Sequence, residues 1–422
     1  MRTRLWAIAL SFILLMLPVS SSIAETLGPA STYDELRRYL SSANQGDIIQ
    51  ITGTLSADSS VPLSAACSVH LSSADGESAT IHHLRLRDAS IILTNITLKD
   101  SLVVDGTSHI QLASGVSVFG AEQQSGIDFS GSGTLIIDRG CSITGGSESA
   151  GISIRHNSGE FYTSIDGNVH GGSGRTGGAG IVISPLSSAG AAMISGSIQG
   201  GEGSDHGGHA LNLYDLNGNA FVTVDGNLRG GSGVIGGDGI QLVAARDNVS
   251  VGIGGKVKGG SGEIYGGDAL ILMNAEGASA FHLSGAFSGG DASGSDAQPG
   301  TSLLLVGDST AARTHITDCI LEDGMQLTAA PLATATPSVP NITPLPEITA
   351  SVENTESLLA PPQETEFASP SEVPVHTPAP PAKPDPAPES APSAEPEVTP
   401  DLPSEAGSET DFAGEATSSE AF

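Results

Sequence analysis

The chain has 422 residues, of which 16 are basic and 47 are acidic, so its formal net charge is −31. So acidic a chain argues against a nucleic-acid partner, because affinity for nucleic acid comes from Lys and Arg side chains that neutralise phosphates. Its three cysteines, Cys67, Cys141 and Cys319, are far apart and form no C-x-x-C pair. The sequence therefore predicts neither a structural zinc site nor a disulfide framework.

The first 24 residues have the features of a secretory signal peptide. Arg2 and Arg4 precede an apolar run over residues 5–17, and small residues lead to Ala24 just before Glu25. This order of a basic segment, a short apolar segment and a small-residue cleavage site is typical of exported proteins. We expect cleavage between Ala24 and Glu25, and a secreted or surface-located bacterial protein. No other apolar stretch approaches the roughly 20 residues of a transmembrane helix.

A short helix is predicted soon after the cleavage site. Thr32 and Glu35 have the T-x-x-E spacing of a capping box. The apolar stripe of this segment consists of Tyr33, Leu36, Tyr39 and Leu40. A strand is expected over residues 47–51. The helix suits the end of a solenoid, where unpaired strand edges need a cover.

A repeat of 29 or 30 residues runs through the middle of the chain. A G-x-x-x-G-G segment begins at Gly167 and recurs at Gly196, Gly226, Gly255 and Gly285. In the first four units it is followed by a second Gly-Gly pair and an alternating strand, such as residues 181–183. A further strand, such as residues 221–224, precedes the next unit. Shorter and less regular units with the same pattern occupy residues 91–137.

Each repeat unit thus contains two or three short strands of period two and no helical segment. One unit cannot bury its own apolar face, but stacked units enclose a continuous core when equivalent strands pair in parallel, about 4.8 Å apart. We expect the glycines to form corners with positive φ, which glycine adopts at little steric cost. The predicted fold class is an all-β, single-stranded parallel β-helix over residues 25–330, with a short N-terminal capping helix.

Residues 331–422 differ sharply in composition. They hold 19 of the 24 prolines and 16 acidic residues, but a single basic residue, Lys383. Such a segment lacks the apolar periodicity needed to offset an ordering entropy of about 1–2 kcal/mol per residue. We predict a disordered, acidic, Pro-rich tail that serves as an extended spacer.

The stacked, glycine-punctuated strands over residues 31–327 resemble the right-handed parallel β-helix of the pectin-lyase-like superfamily, particularly its exported bacterial members. The resemblance implies a right-handed coil and brings polysaccharide cleavage into consideration. Polygalacturonase-type members carry N-x-D, D-D, G-H-G and R-x-K motifs, whose carboxylates act as acid and base. This sequence has no Asp-Asp pair and no Arg-x-Lys, and residues 205–209 only approach the G-H-G motif. No catalytic residue is therefore assigned.

The position directly after the second Gly-Gly pair is a candidate ligand site. Successive units place Ala179, His209, Asp238 and Asp268 there. In a β-helix these residues form one column, so His209, Asp238 and Asp268 together could bind a cation or sugar hydroxyls. The alternative is that the aspartates hydrogen-bond to backbone where the turn begins.

Two further patterns have alternative interpretations. His170, Gln199, Arg229 and Lys258 form a polar to basic column, which is a contact for an acidic glycan or for the protein's own acidic tail, or else a solvated face. Residues 200–205 fit the first six positions of a calcium-binding glycine-rich nonapeptide, so calcium is a candidate cofactor, although no metal ligand is assigned.

Together these patterns predict an exported, non-enzymatic β-helix protein for surface interaction, adhesion or glycan contact, whose partner is an extracellular glycan or a surface protein. The alternative is a polysaccharide lyase or glycoside hydrolase on the same scaffold, because the fold alone does not determine function.

Overall fold

The computed structural model describes residues 24–56, 61–74, 77–156, 158–187, 190–275, 278–306, 313–316, 319–321 and 326–327. The predicted signal peptide up to residue 23 and the predicted tail lie outside the described residues. The described chain is nearly all β and forms a parallel β-solenoid of about eight turns. No helix in the described part is long and apolar enough to cross a membrane.

The predicted N-terminal helix is confirmed as α1, Tyr33–Ser42. The Thr32 hydroxyl accepts the Glu35 N–H at 3.2 Å, and the Glu35 carboxylate accepts the Thr32 N–H at 3.2 Å. This capping box satisfies N–H groups that the first turn of a helix leaves unpaired. The face turned to the core consists of Tyr33, Leu36 and Leu40, with Tyr39 partly buried against it.

The first strands build turns of unequal length. They are β1 (Thr26–Ala30), β2 (Ile48–Ile51), β3 (Thr54–Ser56), β4 (Leu63–Ser73), β5 (Ala79–Thr94), β6 (Ile96–Leu112), β7 (Ser117–Phe119), β8 (Ile127–Ile137) and β9 (Ser142–Thr144). Along one column, the residues paired between neighbouring turns are separated by 17, 20, 25 and 26 residues: Ile81, Leu98, Val118, Ile143 and Val169. The prediction of shorter, less regular units is confirmed.

The early units differ from the prediction in having long, bent strands. β5 and β6 have 16 and 17 residues and continue around the corners. Residues with positive φ make the bends, singly at His83 and Asp88 in β5 and at Gly106 in β6, and as the pair Asp100 and Ser101 in β6. Because one or two residues suffice for each bend, the ladder of hydrogen bonds continues on both sides of it.

The later turns repeat the same set of strands. In chain order these are β10 (Ile152–His156), β11 (Phe161–Ile165), β12 (Asn168–His170), β13 (Gly174–Thr176), β14 (Ile181–Leu186), β15 (Gly190–Ile194), β16 (Ser197–Gln199), β17 (Gly203–His206), β18 (Leu211–Leu216), β19 (Phe221–Val224), β20 (Asn227–Arg229), β21 (Gly233–Ile235), β22 (Ile240–Ala245), β23 (Ser250–Ile253), β24 (Lys256–Lys258), β25 (Gly262–Tyr265), β26 (Leu270–Ala275), β27 (Ala280–Leu283), β28 (Ala286–Ser288), β29 (Leu303–Val306), β30 (Arg313–Ile316), β31 (Cys319–Leu321) and β32 (Gln326–Leu327).

Three parallel ladders enclose the core of these turns. The first begins with β10, the second with β11 and the third with β12, and each strand pairs with its equivalent in the next turn. In the third ladder the paired residues are separated by 29, 30, 29 and 30 residues: Asn168, Ser197, Asn227, Lys256 and Ala286. The predicted period and parallel stacking are confirmed.

Inward-facing side chains form continuous apolar columns. In the third ladder the column consists of Val169, Ile198, Leu228, Val257 and Phe287, each at most 2% exposed. Period-two alternation places these residues inside and their neighbours outside. Each turn thus completes the burial of the turn before it, as in other solenoids.

The paired glycines do not have the predicted conformation, because none of them has a positive φ. They are required by close backbone packing instead. A Cβ on Gly201 would lie 2.1 Å from the Gly172 oxygen of the preceding turn, and a Cβ on Gly208 would lie 2.0 Å from the Gly178 oxygen. The expectation of positive-φ corners was therefore wrong for the Gly-Gly pairs. Their role is to let neighbouring turns touch along the backbone.

The same glycines carry a chain of backbone hydrogen bonds through the solenoid. The Gly178 N–H donates to Gly172 within one turn at 2.7 Å, and the Gly201 N–H of the next turn donates to Gly178 at 2.7 Å. The chain continues in the same alternation through Gly208, Gly231, Gly237, Gly260, Gly267, Gly290 and Gly300. Each turn is thereby closed on itself and joined to the next.

The sequence did not predict a fourth strand in each of these turns. β13, β17, β21 and β25 lie between the two Gly-Gly pairs and form a separate four-stranded parallel sheet. This small sheet accounts for the greater length of the later repeats. Its strands are only three or four residues long, and β13 and β17 contain no apolar side chain, so their sequences lack the pattern of a buried strand.

His156 is a buried titratable residue in the first ladder. The ring is fully buried, stacks on Phe161 with centroids 5.3 Å apart, and donates from Nε2 to the Gly159 oxygen at 3.2 Å. Burial lowers the pKa of His156, and also that of His70. The stabilising effect of a neutral ring is present above the unfolded pKa of about 6.5 and is lost as pH falls through the lower, folded pKa.

We therefore expect the Tm to fall as pH drops below about 6.5, and His156→Leu to reduce this dependence. The measurement is a series of thermal melts of both proteins from about pH 8 to pH 5. An unchanged pH dependence in His156→Leu would show that protonation of this ring does not limit acid stability.

Candidate functional site

The small sheet and the first ladder line a cleft. Thr176, His206 and Ile235 occupy paired positions on one side, and Val182 and Asn212 lie on the other. Glycines of the Gly-Gly pairs, including Gly177, Gly178, Gly207, Gly208 and Gly236, line the same space. The volume is about 560 Å³. We call this space the glycine cleft; the glycines that line it are themselves buried between neighbouring turns.

The predicted column of His209, Asp238 and Asp268 is present, and hydrogen bonds connect it. The Asp238 N–H donates to Nδ1 of His209 at 3.0 Å, and the Asp268 N–H donates to Oδ1 of Asp238 at 2.9 Å. In the next turn, the N–H and hydroxyl of Thr301 donate to Oδ1 of Asp268 at 2.6 and 2.7 Å. Each side chain thus accepts a hydrogen bond from the backbone of the following turn.

The hydrogen bonds of this column differ in one respect from those expected if the aspartates only marked the start of a turn. The aspartates do bond to backbone, but they reach the next turn, whereas an isolated turn entry would use the residue's own segment. His209 and Asp238 line the glycine cleft, and Asp268 continues the column one turn further. The column is therefore both part of the cleft and part of the bonding between turns.

His209 and Asp238 form the polar centre of the cleft. Nδ1 of His209 lies 3.1 Å from Oδ2 of Asp238 as well as 3.0 Å from its amide nitrogen. A neutral ring accepts the amide hydrogen at Nδ1, whereas a protonated ring would donate to the carboxylate. The imidazole side chain is 31% exposed and the carboxylate only 12%, so the ring is the more available of the two groups for a ligand.

Asn212 is a cleft residue that the sequence pattern did not single out. It is 7% exposed, and its Oδ1 is buried with no hydrogen-bond partner among the described residues. A buried polar atom without a partner costs about 1–3 kcal/mol. Its column is of mixed polarity, since the neighbouring turns place Val182, Gln241 and Ile271 there, so the sequence carried no signal that set Asn212 apart.

Tyr214 and Gln241 extend the polar surface along the first ladder. The Tyr214 hydroxyl donates to Oε1 of Gln241 at 2.9 Å. Burial and the nearby Asp238 carboxylate both raise the pKa of Tyr214. The phenol therefore remains protonated at neutral pH and acts as a hydrogen-bond donor.

The other charged groups near the cleft are engaged with the protein. Oε1 of Glu148 accepts the Arg175 N–H at 2.7 Å, and Nε of Arg175 donates to Asp205 at 2.6 Å. Asp205, the acidic residue of the calcium-type nonapeptide pattern, thus pairs with an arginine. Within the described chain, no group of three or more His, Cys, Asp or Glu side chains could hold a metal ion.

The predicted basic column lies elsewhere, on the third ladder. Gln199, Arg229 and Lys258 occupy paired positions and line a second groove of about 520 Å³. Nζ of Lys258 donates to Asp291 at 3.1 Å, whereas Arg229 is exposed. The column is thus a mostly solvated face, part of whose charge is neutralised.

Comparisons of the chain with protein-family models, with curated proteins and with solved structures gave no significant match. The fold and the cleft define the protein as a parallel β-solenoid with a backbone-lined cleft along one side of its later turns.

Proposed function

We propose that this protein is an exported, non-enzymatic β-solenoid that serves in surface interaction, adhesion or glycan contact, with the glycine cleft as the binding site. The observation that carries the proposal is the composition of the cleft. Closely packed glycine backbone and the polar side chains of His209 and Asn212 line it, and its Asp238 carboxylate already accepts a backbone hydrogen bond from the neighbouring turn.

The chemistry of the cleft suits a ligand rich in hydroxyl groups. A sugar hydroxyl both donates and accepts, so it can pair with the His209 imidazole and the Asn212 amide. Tyr265 continues the column of Ile235 on the small sheet and is 46% exposed. An exposed tyrosine offers an apolar face together with a polar tip. Solenoids commonly present extended surfaces of this kind to long ligands.

We also propose that the chain is related to the pectin-lyase-like superfamily and that it is exported. A polysaccharide lyase or hydrolase needs an acid and a base positioned across the scissile bond. Asp238, a carboxylate that lines the cleft, accepts the backbone N–H of Asp268 and lies against His209. Binding therefore accounts for the cleft better than cleavage does.

The test is binding and cleavage measured together on the chain from Glu25 to Phe422. A panel of neutral and acidic polysaccharides is assayed with and without calcium, while new reducing ends and unsaturated products are followed. The key variant combines His209→Ala with Asn212→Val, which copies Ala179 and Val182 of the preceding turn and so keeps residues that the solenoid already accommodates.

We expect a glycan that binds the native chain to bind this variant at least tenfold more weakly, which corresponds to about 1.4 kcal/mol. Thr223→Val, in the second ladder and outside the cleft, is the control and should bind normally. Polysaccharide cleavage that Asp238→Ala or Asp268→Ala abolishes would replace the proposal with an enzymatic function. Absence of binding to every glycan would leave a surface protein as the partner.

A further inference from the structure

Asp47 is a buried carboxylate at the N-terminal end of the solenoid. It directly precedes β2 and is 1% exposed. Its Oδ2 accepts the backbone N–H of Asn44 at 2.8 Å and a second hydrogen bond from the side-chain Nδ2 of Asn44 at 3.4 Å. Its Oδ1 accepts the N–H of Glu25 at 3.0 Å. Among the described residues, no basic side chain forms an ion pair with it.

A buried carboxylate without a positive partner is unfavourable, because hydrogen bonds replace only part of its lost hydration. The other titratable group close to it is the Cys67 thiol, whose pKa is raised by burial and by the charge of Asp47. An ionised thiol would carry the same sign of charge, so it offers no compensation. A positive charge beside Asp47 would therefore be stabilised.

The group positioned to supply a positive charge is the backbone nitrogen of Glu25, which lies 3.0 Å from Oδ1 of Asp47. Glu25 is also the residue that directly follows the predicted cleavage point after Ala24. Hydrolysis of this peptide bond by a leader peptidase adds one water molecule, so that Ala24 leaves with a carboxylate and Glu25 gains an α-ammonium group. Cleavage thus turns the nitrogen 3.0 Å from Oδ1 of Asp47 into a cation.

We propose that processing between Ala24 and Glu25 creates an ion pair between the α-ammonium group of Glu25 and the buried carboxylate of Asp47, and that this pair fixes β1 on the first turn. The proposal rests on the export assigned under the proposed function. In the unprocessed chain the same nitrogen is a neutral amide and offers only an ordinary hydrogen bond, whereas a charge-assisted bond is roughly twice as strong.

The ion pair lies where it can stabilise the N-terminal end of the solenoid, formed by β1, α1 and β2. The Glu25 carbonyl accepts the Ile48 N–H at 2.9 Å, and β1 then pairs in parallel with β2, from Thr26 opposite Ile48 to Ala30 opposite Ile51. α1 packs on β1, β2 and β4. An ion pair at the first residue of this arrangement holds the outermost strand over the otherwise open edge of the solenoid.

The test is a double-mutant cycle of four proteins that all end at Phe422. The chains begin at Glu25 or at Ala24, and each is made with Asp47 and with Asp47→Asn. We expect the single added residue to lower the Tm by about 2 °C or more when Asp47 is present. In the Asp47→Asn background the added residue should have no effect. Equal effects in the two backgrounds would overturn the proposal.

A second measurement does not depend on global unfolding. An ammonium group held by a carboxylate gives up its proton less readily. At about pH 8 an amine-reactive reagent should therefore label the α-amine of the chain with Asp47 several-fold more slowly than the α-amine of the Asp47→Asn variant. The exposed lysine side chain of Lys256 is the internal reference. Equal labelling rates in the two proteins would contradict the ion pair.

The N-terminus of the chain after export by a host is then determined by mass spectrometry. A first residue other than Glu25 would overturn the assigned processing site, whatever the glycan assays show. Failure of every glycan to bind, together with coupling between the N-terminus and Asp47, would remove the proposed ligand and leave the ion pair intact. The two proposals can therefore fail separately.

Discussion

Gly201→Ala is expected to destabilise the solenoid by about 3 kcal/mol or more, the upper range for overpacking. The added Cβ would lie 2.1 Å from the Gly172 oxygen and 2.7 Å from its carbonyl carbon. Both contacts are to backbone, so no side-chain rotation relieves them, and the two turns must separate. Separation also weakens the bond from the Gly201 N–H to Gly178. Urea unfolding of the chain from Glu25 to Phe422 measures the loss.

Gly252→Ala is the matched control for this substitution. Gly252 lies in β23 of the same repeat array, its φ is not positive, and its new Cβ would meet only Cγ2 of Thr223 at 3.7 Å. Alanine there should change the free energy of unfolding by less than about 1 kcal/mol and is expected to stabilise, because glycine loses more conformational freedom on folding. Similar destabilisation by both substitutions would refute close backbone packing as the reason for the Gly-Gly pairs.

Phe161→Ala is expected to cost about 3–5 kcal/mol, the usual range for truncating a fully buried aromatic side chain. Phe161 begins β11, and its ring lies 5.3 Å from the ring of Phe129 in the preceding turn and 5.3 Å from that of His156. Its loss leaves a cavity where two turns meet, and a solenoid depends on just such contacts between neighbours. Urea unfolding again measures the change.

Met193→Ala provides the comparison for the aromatic truncation. Met193 lies in β15, the next strand of the same ladder, but its side chain faces outward and the residue is 39% exposed. Its Sδ accepts a hydrogen bond from the Tyr162 hydroxyl at 3.3 Å in an exposed setting, so Met193→Ala should cost at most about 1 kcal/mol. If Met193→Ala and Phe161→Ala cost the same, the inward column would not be the source of stability.

The architecture was predictable because it depends on spacing that the sequence repeats. The period of 29 or 30 residues, the inward columns and the capping box at Thr32 and Glu35 all follow from local patterns. Positions after the second Gly-Gly pair could also be aligned by counting along the repeats, and this alignment alone placed His209, Asp238 and Asp268 in one column. Counting works because every later turn has nearly the same length.

The parts that were missed depend on contacts between turns. Steric exclusion at Gly201 arises from the carbonyl group of Gly172, 29 residues earlier, and no local rule of conformation reveals it. The four-stranded sheet that forms one side of the cleft has strands of only three or four residues, too short for an alternating pattern to show. Asn212 became notable only when its neighbours left Oδ1 without a partner.

The chain of glycine hydrogen bonds has a consequence for how such a protein can change size. One glycine hydrogen bond lies within each turn, and an equivalent one joins it to the next turn. A duplicated or deleted turn therefore leaves the hydrogen bonds between the remaining turns unchanged. The reach of the cleft can then grow or shrink in steps of one strand spacing, about 4.8 Å. The length of the cleft is thereby set by the number of turns that the gene encodes.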